Sequence, residues 1–189
     1  MQKYPLATLI LTTPSGIEIK HLPFWINHEN GRLTLQAHLA KANLSSHNHS
    51  EQQQALIVFN GPNAYVSPNV YPHKADHHRV VPTWNYAAVH AYGEFSIITD
   101  EQWLLSNVKQ LTNQQEVKQN QPWSIDQAPK DYIEKMIAAI VGIEINVNRL
   151  EGQLKLSQNQ PDINRRAVAE SFTAQIATHD LGLLMNTML

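Results

Sequence analysis

Three short segments near the start of this chain constrain its fold more than any other feature. Residues 6–11 are almost wholly apolar, and residues 17–22 and 32–37 alternate apolar and polar side chains. Alternation with a period of two is typical of a strand that buries one face. Turn sequences separate the segments, Pro14-Ser15-Gly16 after the first and Asn30-Gly31 before the third. These residues predict antiparallel strands joined by tight turns, beginning with a hairpin.

Further strand patterns run through the rest of the chain. The apolar run 55–59 predicts a central strand buried on both faces, and residues 83–98 predict a long strand with a bend at Gly93. Residues 143–147 and 150–158 also have strand character. Strands do not alternate regularly with helices, and no Gly-rich dinucleotide or P-loop motif is present, so a doubly wound α/β fold is disfavoured. The order favours an α+β fold built on an antiparallel β-barrel or sandwich.

Three or four helices are expected between and after the strands. A capping box that begins at Thr99 predicts a helix start there. Apolar residues at helical spacing predict a second helix over 129–141, ended by Gly142. A short helix or helical turn is expected over 38–46, and a longer helix over 163–184.

Composition and charge exclude several classes of protein. The 189 residues are 42% hydrophobic, which is enough for a buried core and excludes a disordered tail. The absence of cysteine excludes a disulfide framework, an iron–sulfur cluster and any site that needs a thiolate. A net charge of −2 argues against a general binder of polyanions. We recognise no membrane span or signal peptide, and we expect a cytoplasmic protein.

Several strings of residues together resemble one known family. The most specific are Val81-Pro82-Thr83-Trp84-Asn85-Tyr86 and Lys155-Leu156-Ser157-Gln158-Asn159. Shorter matching strings are His21-Leu22-Pro23-Phe24, His38-Leu39-Ala40-Lys41-Ala42-Asn43, Ala64-Tyr65-Val66-Ser67-Pro68, Tyr71-Pro72, Val89-His90 and Gly142-Ile143-Glu144-Ile145. Between about Pro5 and about Val168 the chain resembles the PaiB family, which is also described as FMN-binding negative transcriptional regulators.

The resemblance implies a split β-barrel of the FMN-binding type, with peripheral and C-terminal helices and with FMN between the subunits of a homodimer. It also implies repression of transcription, linked to sporulation and to genes for secreted proteases. We expect the split-barrel domain over residues 1–160 and a helical extension over 161–189 that packs on the barrel or on the partner subunit. Family members are expected to carry a leading segment before the first strand, whereas the given sequence begins almost at that strand. Leu154 stands where tryptophan is expected, and Gln160 stands where a basic residue is expected.

FMN needs donors for its phosphate, an apolar slot for its ring and polar groups at the ring edge. Residues 37–43 lie where a strand is expected to give way to a helical turn. Exposed N–H groups there would suit a phosphate, with His38 and Lys41 nearby, and the resemblance adds Ala40 and Asn43 as candidate cofactor contacts. The alternative is an ordinary strand–helix junction with a surface lysine.

The string 83–86 is the second candidate. On a strand, Trp84 and Tyr86 lie on one face and Asn85 on the other. The aromatic face would line the flavin or the subunit contact that encloses it, and the alternative is that these rings fill the barrel interior. Asn85 and His90 are candidates because buried amide and imidazole groups need partners.

Two further segments complete the candidate cofactor-binding residues. His21-Leu22-Pro23 stands at a strand irregularity, which often aims a group at a ligand. The alternative there is a half-exposed strand histidine. Lys155, Gln158 and Asn159 would complete a polar site from the partner subunit, and the alternative is an edge strand followed by a capping Asn.

Ten histidines raise the question of a metal site. His73 and His77 are four residues apart in the loop 73–78, and two imidazoles at that spacing on a helix can share a metal. Because flanking prolines do not define a helix and no distant ligand is evident, we expect no metal; a substrate-facing or dimer-contact loop is favoured. His47 and His49, in a polar loop, are interpreted as solvated.

Two classes of function follow. The first is a homodimeric flavoprotein whose reaction, if it has one, is hydride or electron transfer by the flavin, since no nucleophile constellation is visible. The second is a regulator without turnover that senses flavin, haem or no ligand; imidazole is a common axial ligand of haem. Direct DNA contact has little support, because Arg165-Arg166 is the one adjacent basic pair and no DNA-binding motif appears.

Overall fold

The computed structural model describes residues 1–44 and 53–189, with the backbone alone at residues 76 and 77. These residues form seven strands: β1 (Leu6–Thr13), β2 (Gly16–Pro23), β3 (Trp25–Glu29), β4 (Arg32–Ala40), β5 (Gln53–Val66), β6 (Thr83–Ile98) and β7 (Ile140–Lys155). They also form five helices: α1 (Lys74–His77), α2 (Glu101–Glu116), α3 (Lys130–Ala138), α4 (Asp162–Thr173) and α5 (His179–Asn186). His47 and His49 lie outside the described residues, as do the side chains of Asp76 and His77.

The strands form one sheet in the order β2-β1-β5-β6-β7-β4-β3. The predicted first hairpin is confirmed, since β1 pairs antiparallel with β2 from Leu6↔Pro23 to Thr13↔Gly16. Strand β1 also pairs antiparallel with β5, and β4 pairs antiparallel with both β3 and β7. The sheet and its helices confirm the predicted α+β class.

The two strands at the ends of this order, β2 and β3, are consecutive in the chain and are separated by Phe24 alone. Phe24 is fully buried, and its ring meets that of Phe59 edge to face with the centroids 6.0 Å apart. Lys20 of β2 donates from Nζ to the main-chain oxygen of Asn43, three residues beyond the end of β4, at 2.7 Å. The expected irregularity around Pro23 is therefore the place where the chain leaves one edge strand for the other.

The described residues group into two compact units. Unit 1 comprises residues 1–59 and 90–150, and unit 2 comprises residues 60–89 and 151–189. Strands β5, β6 and β7 each contribute residues to both units. The division into a domain over 1–160 and an extension over 161–189 stays a prediction.

Each unit has its own buried apolar side chains. In unit 1 the alternating strands turn every second residue inward, as the period of two predicts. The fully buried members there include Leu9, Leu11, Leu35, Ile57, Ile143 and Ile145. In unit 2 the ends of β5 and β7 pack with α4 and α5, and the cluster comprises Ala64, Val66, Tyr71, Leu156, Val168, Ala169, Phe172, Leu181 and Met185.

Strand pairing shortens two of the predicted helical segments. The helix expected over 129–141 ends at Ala138, because Ile140 and Val141 begin β7 and pair with the end of β4. The two strand segments expected over 143–158 are one strand that continues to Lys155. The short helix or helical turn expected over 38–46 starts later than predicted, since β4 extends through His38 to Ala40 and a 3₁₀ turn, Lys41–Asn43, follows; residues 45 and 46 lie outside the described residues.

Helix ends also differ from the sequence patterns. Helix α2 is capped by Asp100 rather than Thr99, with the Asp100 carboxylate accepting from the Trp103 N–H at 2.7 Å. The helix expected over 163–184 is two helices, α4 and α5, separated by a 3₁₀ turn. That break lets α5 fold back on α4, where Gly182 lies against the Thr173 side chain and the main-chain oxygen of Ala169.

Candidate functional site

The candidate residues divide between the two units, and each group is described by itself. Unit 1 holds His21, Leu22, Pro23, His38, Ala40, Lys41, Asn43 and His90. Unit 2 holds Trp84, Asn85, Tyr86, Lys155, Gln158 and Asn159.

The first group centres on the end of β2 and the 3₁₀ turn after β4, which we call the seam. Lys20 joins its two sides, because its Nζ donates to Asn43 O and also pairs with Glu18 Oε1 at 2.6 Å. His21 is exposed, and its Nδ1 lies 3.1 Å from the Thr8 hydroxyl. Leu22 is buried, and Pro23 is exposed at the end of β2. The seam thus places the His21 imidazole on an accessible surface, while the Lys20 ammonium is largely covered and paired.

Lys41 is the best positioned cation of the seam. Its Nζ donates to the main-chain oxygen of Ala138, at the end of α3, at 2.6 Å, while the residue stays exposed. An ammonium has three donors, so this bond fixes the group and leaves further N–H bonds for an anion. Its main-chain N–H donates to Ala139 O at 2.9 Å and is therefore not an exposed phosphate donor, contrary to expectation.

His38 lies beneath helix α2 rather than on an open surface. It is half-buried, and its Nδ1 lies 2.9 Å from Oδ1 of Asn107, a residue of α2 that is 1% exposed. The Nδ2 atom of Asn107 has no hydrogen-bond partner among the described residues. Helix α2 therefore positions the His38 ring, and a direct contact of His38 with a cofactor stays a prediction.

The remaining candidates of unit 1 differ in accessibility. Ala40 is exposed at the end of β4, where it pairs with Ile140. Asn43 is exposed and offers its main-chain oxygen to Lys20. His90 is half-buried in β6. The structure brings His21, Lys41 and Asn43 to the ends of neighbouring elements in the seam.

The second group includes an exposed aromatic surface, formed by Tyr65 of β5 and Trp84 of β6. Trp84 is 55% exposed and Tyr65 is 51% exposed. Their rings meet edge to face with the centroids 6.0 Å apart. The alternative that Trp84 fills the barrel interior is wrong. Large exposed aromatics that contact each other are typical of a ligand or subunit surface.

Asn85 points the opposite way and is fully buried. Its Nδ2 donates to Ser157 Oγ at 3.0 Å and to Met185 Sδ at 3.5 Å, and Ser157 Oγ donates back to Asn85 Oδ1 at 3.1 Å. Ser157 is itself buried and has a left-handed backbone, with φ of 60°. These contacts satisfy the buried amide within the protein, and a cofactor contact for Asn85 stays a prediction.

The polar string after β7 is ordered by its own hydrogen bonds. Lys155 Nζ donates to Thr83 Oγ1 at 2.7 Å. Gln158 accepts from the Leu156 N–H and donates to Leu154 O, which folds the segment onto itself, and Asn159 is exposed. Thr83 and Trp84 are consecutive in β6, so their side chains lie on opposite faces of that strand. Because Lys155 bonds Thr83, it lies on the face opposite to Trp84. The structure does not bring these two candidates together.

The histidine loop contains the helix α1. The main-chain N–H of His73 donates to Asn164 Oδ1 at 3.4 Å, which ties the loop to α4. Lys74 donates from Nζ to Asn69 Oδ1. No group of three or more metal-ligating side chains occurs among residues whose side chains the structure describes. The role of this loop stays a prediction.

Several residues of these surfaces escaped the sequence patterns. Tyr65 was part of a matching string but had no assigned role, although its alternation with buried Ala64 and Val66 signals an outward face. Lys20 and Asn107 gave no local signal, because their partners are 23 and 69 residues away in the chain. Pairings over such separations are visible only after the fold is known.

Comparison with known proteins identifies the family. Residues 1–149 match the family model described as "Putative FMN-binding domain". The protease synthase and sporulation protein PAI 2 of Bacillus subtilis is 30% identical over 162 residues, which cover 85% of this chain and 75% of that protein. The chain belongs to the PaiB family. A further relative, the uncharacterized protein AN0679 of Emericella nidulans, is 34% identical over 188 residues, covering 82% of this chain and 75% of that protein.

A solved structure agrees on the fold. The conserved hypothetical protein Rv2991 of Mycobacterium tuberculosis superposes with a TM-score of 0.54, at 13% identity, over 85% of this chain and 83% of that chain. At this identity the likeness concerns the fold alone. Together with the antiparallel sheet, it confirms that this PaiB-family chain has the predicted split-barrel fold. No helix among the described residues is long and apolar enough to cross a membrane.

Proposed function

We propose that this PaiB-family protein binds FMN as a homodimer, with the FMN phosphate held at the seam by Lys41. The observation that carries the proposal is the exposed Lys41 ammonium, fixed at 2.6 Å from the main-chain oxygen of Ala138 within a family of FMN-binding domains. A fixed cation loses little entropy when it receives an anion. FMN, when bound, supplies hydride or electron transfer, while the chain binds and orients it.

Charge and hydrogen bonding at the seam fit a phosphate. Lys20 holds the 3₁₀ turn of Lys41 against β2 through Asn43 O. His21 is bonded to Thr8 through Nδ1, which leaves Nε2 directed elsewhere on an exposed residue. Lys20 is itself paired with Glu18, so the Lys41 ammonium is the cation proposed to receive the phosphate.

Replacing Lys41 by Gln tests the phosphate contact. We expect Lys41→Gln to weaken FMN binding about tenfold, or about 1.4 kcal/mol, because it removes one charge-assisted hydrogen bond. Riboflavin has no phosphate, so its binding should change little. Fluorescence titration of both ligands measures the difference, with Lys135→Gln, an exposed lysine of α3, as the control. Equal loss for FMN and riboflavin, or no loss for either, contradicts a phosphate at the seam.

The aromatic surface supports the homodimer part of the proposal. Two contacting aromatic side chains, each about half exposed, would lose much of their accessible apolar area against a second subunit. We propose that Tyr65 and Trp84 make this subunit contact.

Truncation of Trp84 tests the subunit contact. We expect Trp84→Ala to raise the dimer dissociation constant at least about tenfold, because interface tryptophans carry a large share of binding energy. Light scattering with size-exclusion chromatography over a dilution series measures the change. Trp123→Ala, at a tryptophan that is 42% exposed in unit 1, is the matched control. A wild-type protein that is monomeric with FMN present contradicts the homodimer.

A regulatory function is the second candidate, favoured by the relative named protease synthase and sporulation protein PAI 2. In this proposal the protein senses flavin, or haem, or acts without a ligand, and repression need not involve direct DNA contact, given the net charge of −2. Binding assays with operator-sized DNA at several salt concentrations test direct contact, which predicts affinity that falls steeply with salt. Absence of binding at low salt would contradict direct DNA contact. A cytoplasmic location stays a prediction.

A further inference from the structure

Buried polar atoms without a hydrogen-bond partner collect at one interface of unit 1. Among the described residues these atoms are Trp25 Nε1, Thr34 Oγ1, Asn107 Nδ2 and Gln114 Oε1. Two of them belong to α2, and the other two belong to β3 and β4. Because leaving a buried polar group unpaired is costly, each such group in a folded protein calls for an explanation.

The four side chains lie where α2 meets the sheet. Thr34 and His38 are on the same face of β4, because side chains alternate along a strand. His38 Nδ1 lies 2.9 Å from Asn107 Oδ1, which places α2 over that face. Trp25 is opposite Gln36 in the pairing of β3 with β4, so its indole belongs to the same face. The unpaired atoms therefore share one layer between α2 and the sheet.

Two of these atoms belong to residues that line a single pocket. The pocket has a volume of about 470 Å³, within the range of small-molecule sites. It is lined by Gln2, Lys3, Trp25, Ile26, Gln114 and Lys118. An indole N–H can only donate a hydrogen bond, and an amide oxygen can only accept one. The pocket thus combines one unpaired donor with one unpaired acceptor.

Both groups are held in place by contacts outside the pocket. Gln114 Nε2 donates to the main-chain oxygen of Gln2 at 3.2 Å. Turning the amide over would set its oxygen against that acceptor, so the unpaired atom of Gln114 is the oxygen. Trp25 directly follows the fully buried Phe24 and pairs with Gln36 in the sheet. A ligand would therefore meet a donor and an acceptor that are already positioned.

We propose that this pocket binds a small planar molecule through an amide edge, whose carbonyl oxygen accepts from Trp25 Nε1 and whose N–H donates to Gln114 Oε1. Both protein atoms have almost no accessible surface, so the long side chain of Lys118, an exposed residue, moves aside as the ligand enters. Ile26 and the indole ring supply apolar contact. Primary carboxamides and ring lactams share this edge, and separate probes distinguish them.

Calorimetric titration with nicotinamide, a carboxamide, and with uracil, a lactam, tests the pocket. We expect saturable binding of at least one probe, weakened at least about tenfold in Trp25→Phe and in Gln114→Met, since each removes one hydrogen-bonding group. Trp123→Phe and Gln115→Met, at exposed residues that do not line the pocket, should bind as the wild type. Binding of neither probe, or binding unchanged in both pocket variants, overturns the proposal.

Methyl nicotinate tests the donor on the ligand. This ester keeps the ring and the carbonyl of nicotinamide but has no N–H, so it leaves Gln114 Oε1 unpaired. If nicotinamide binds, we expect the ester to bind at least about tenfold more weakly. Equal affinity of the two compounds would contradict the amide edge.

A measurement on the wild-type protein covers the case in which a variant does not fold. The chain has four tryptophans, and in a proton–nitrogen spectrum the indole N–H signal of Trp25 should shift on addition of the bound probe. The indole signals of the other three should stay in place. A shift at Trp25 alone supports the proposal, and an unmoved Trp25 signal at saturating probe overturns it.

FMN binding separates this pocket from the seam, with which it shares no lining residue. We expect the affinity for FMN to be unchanged in Trp25→Phe and Gln114→Met, and probe binding to be unchanged in Lys41→Gln. The proposal therefore stands or fails independently of the proposed FMN site. A fall in FMN affinity in both pocket variants would assign the pocket to the flavin ring and overturn a separate site.

Discussion

The Gly93→Ala variant is expected to lose about 3 kcal/mol or more of folding free energy. An ideal Cβ at this position would stand 2.8 Å from both the carbonyl carbon of Asn146 and Cγ2 of Ile145, and closer still to the Asn146 oxygen. The main-chain atoms belong to the neighbouring strand β7 and cannot rotate away as a side chain could. The added methyl must therefore push β6 and β7 apart in the interior of the sheet, where packing is dense.

A glycine of strand β7, Gly152, provides the matched control for Gly93 of β6. Gly152 has no atom within 4 Å of an added Cβ, and its backbone does not need a positive φ. Gly152→Ala should therefore change stability by less than about 0.5 kcal/mol. Urea unfolding followed by circular dichroism measures both variants. Equal stability of Gly93→Ala and the wild type contradicts the close approach of the two strands.

The Asn85→Ala variant is expected to lose about 3 kcal/mol of folding free energy, because the substitution combines two effects. It removes a fully buried amide that bonds Ser157 in both directions, and it leaves a cavity against Met185. The Ser157 hydroxyl, 4% exposed as a residue, then has to remain buried without this partner.

A double-mutant cycle with Ser157→Ala isolates the pair. Each single variant leaves the polar group of the other residue buried without its partner, whereas the double variant removes both groups. The loss of folding free energy in the double variant should therefore be smaller than the sum of the two single losses by about 1–2 kcal/mol. Ser106→Ala, at an exposed position of α2, should be within about 0.5 kcal/mol of the wild type. Strict additivity of Asn85→Ala and Ser157→Ala would contradict the bonded pair.

Local patterns were sufficient to predict much of the sheet. Residues 6–11, 17–22 and 32–37 are strands because alternation and turn sequences agree there, and the hairpin at Pro14-Ser15-Gly16 is confirmed. Residues 55–59 read as a central strand, and β5 does lie inside the sheet order between β1 and β6. In these segments the local signal and the tertiary contacts favour the same structure.

Patterns failed where long-range pairing decided the structure. Ile140 and Val141 extend a helical stripe in the sequence, yet they pair with Ala40 and Leu39 in a ladder that the sequence alone does not reveal. The same ladder keeps His38 in a strand. Local helix signals are small in energy, so a continuous strand pairing outweighs them.

The candidate site was predictable in residue type rather than in arrangement. Alternation correctly separated Trp84 from Asn85, since one is 55% exposed and the other is buried. Alternation alone could not show which face of β6 is buried, because aromatic rings such as Trp84 and a hydrogen-bonded amide such as Asn85 are both compatible with a core. The hydrogen bond from Lys41 Nζ to the main-chain oxygen of Ala138 joins residues 97 apart in the chain, so no local sequence pattern could predict it.

The absorbance spectrum of the purified protein, after incubation with FMN and removal of unbound ligand by gel filtration, tests the central claim most directly. If the seam holds the FMN phosphate, the protein fraction should carry the flavin absorption bands after incubation with FMN, and much weaker bands after incubation with riboflavin. A haem Soret band in the protein as purified would instead favour the regulator that senses haem. A colourless protein that rejects added FMN would contradict the account.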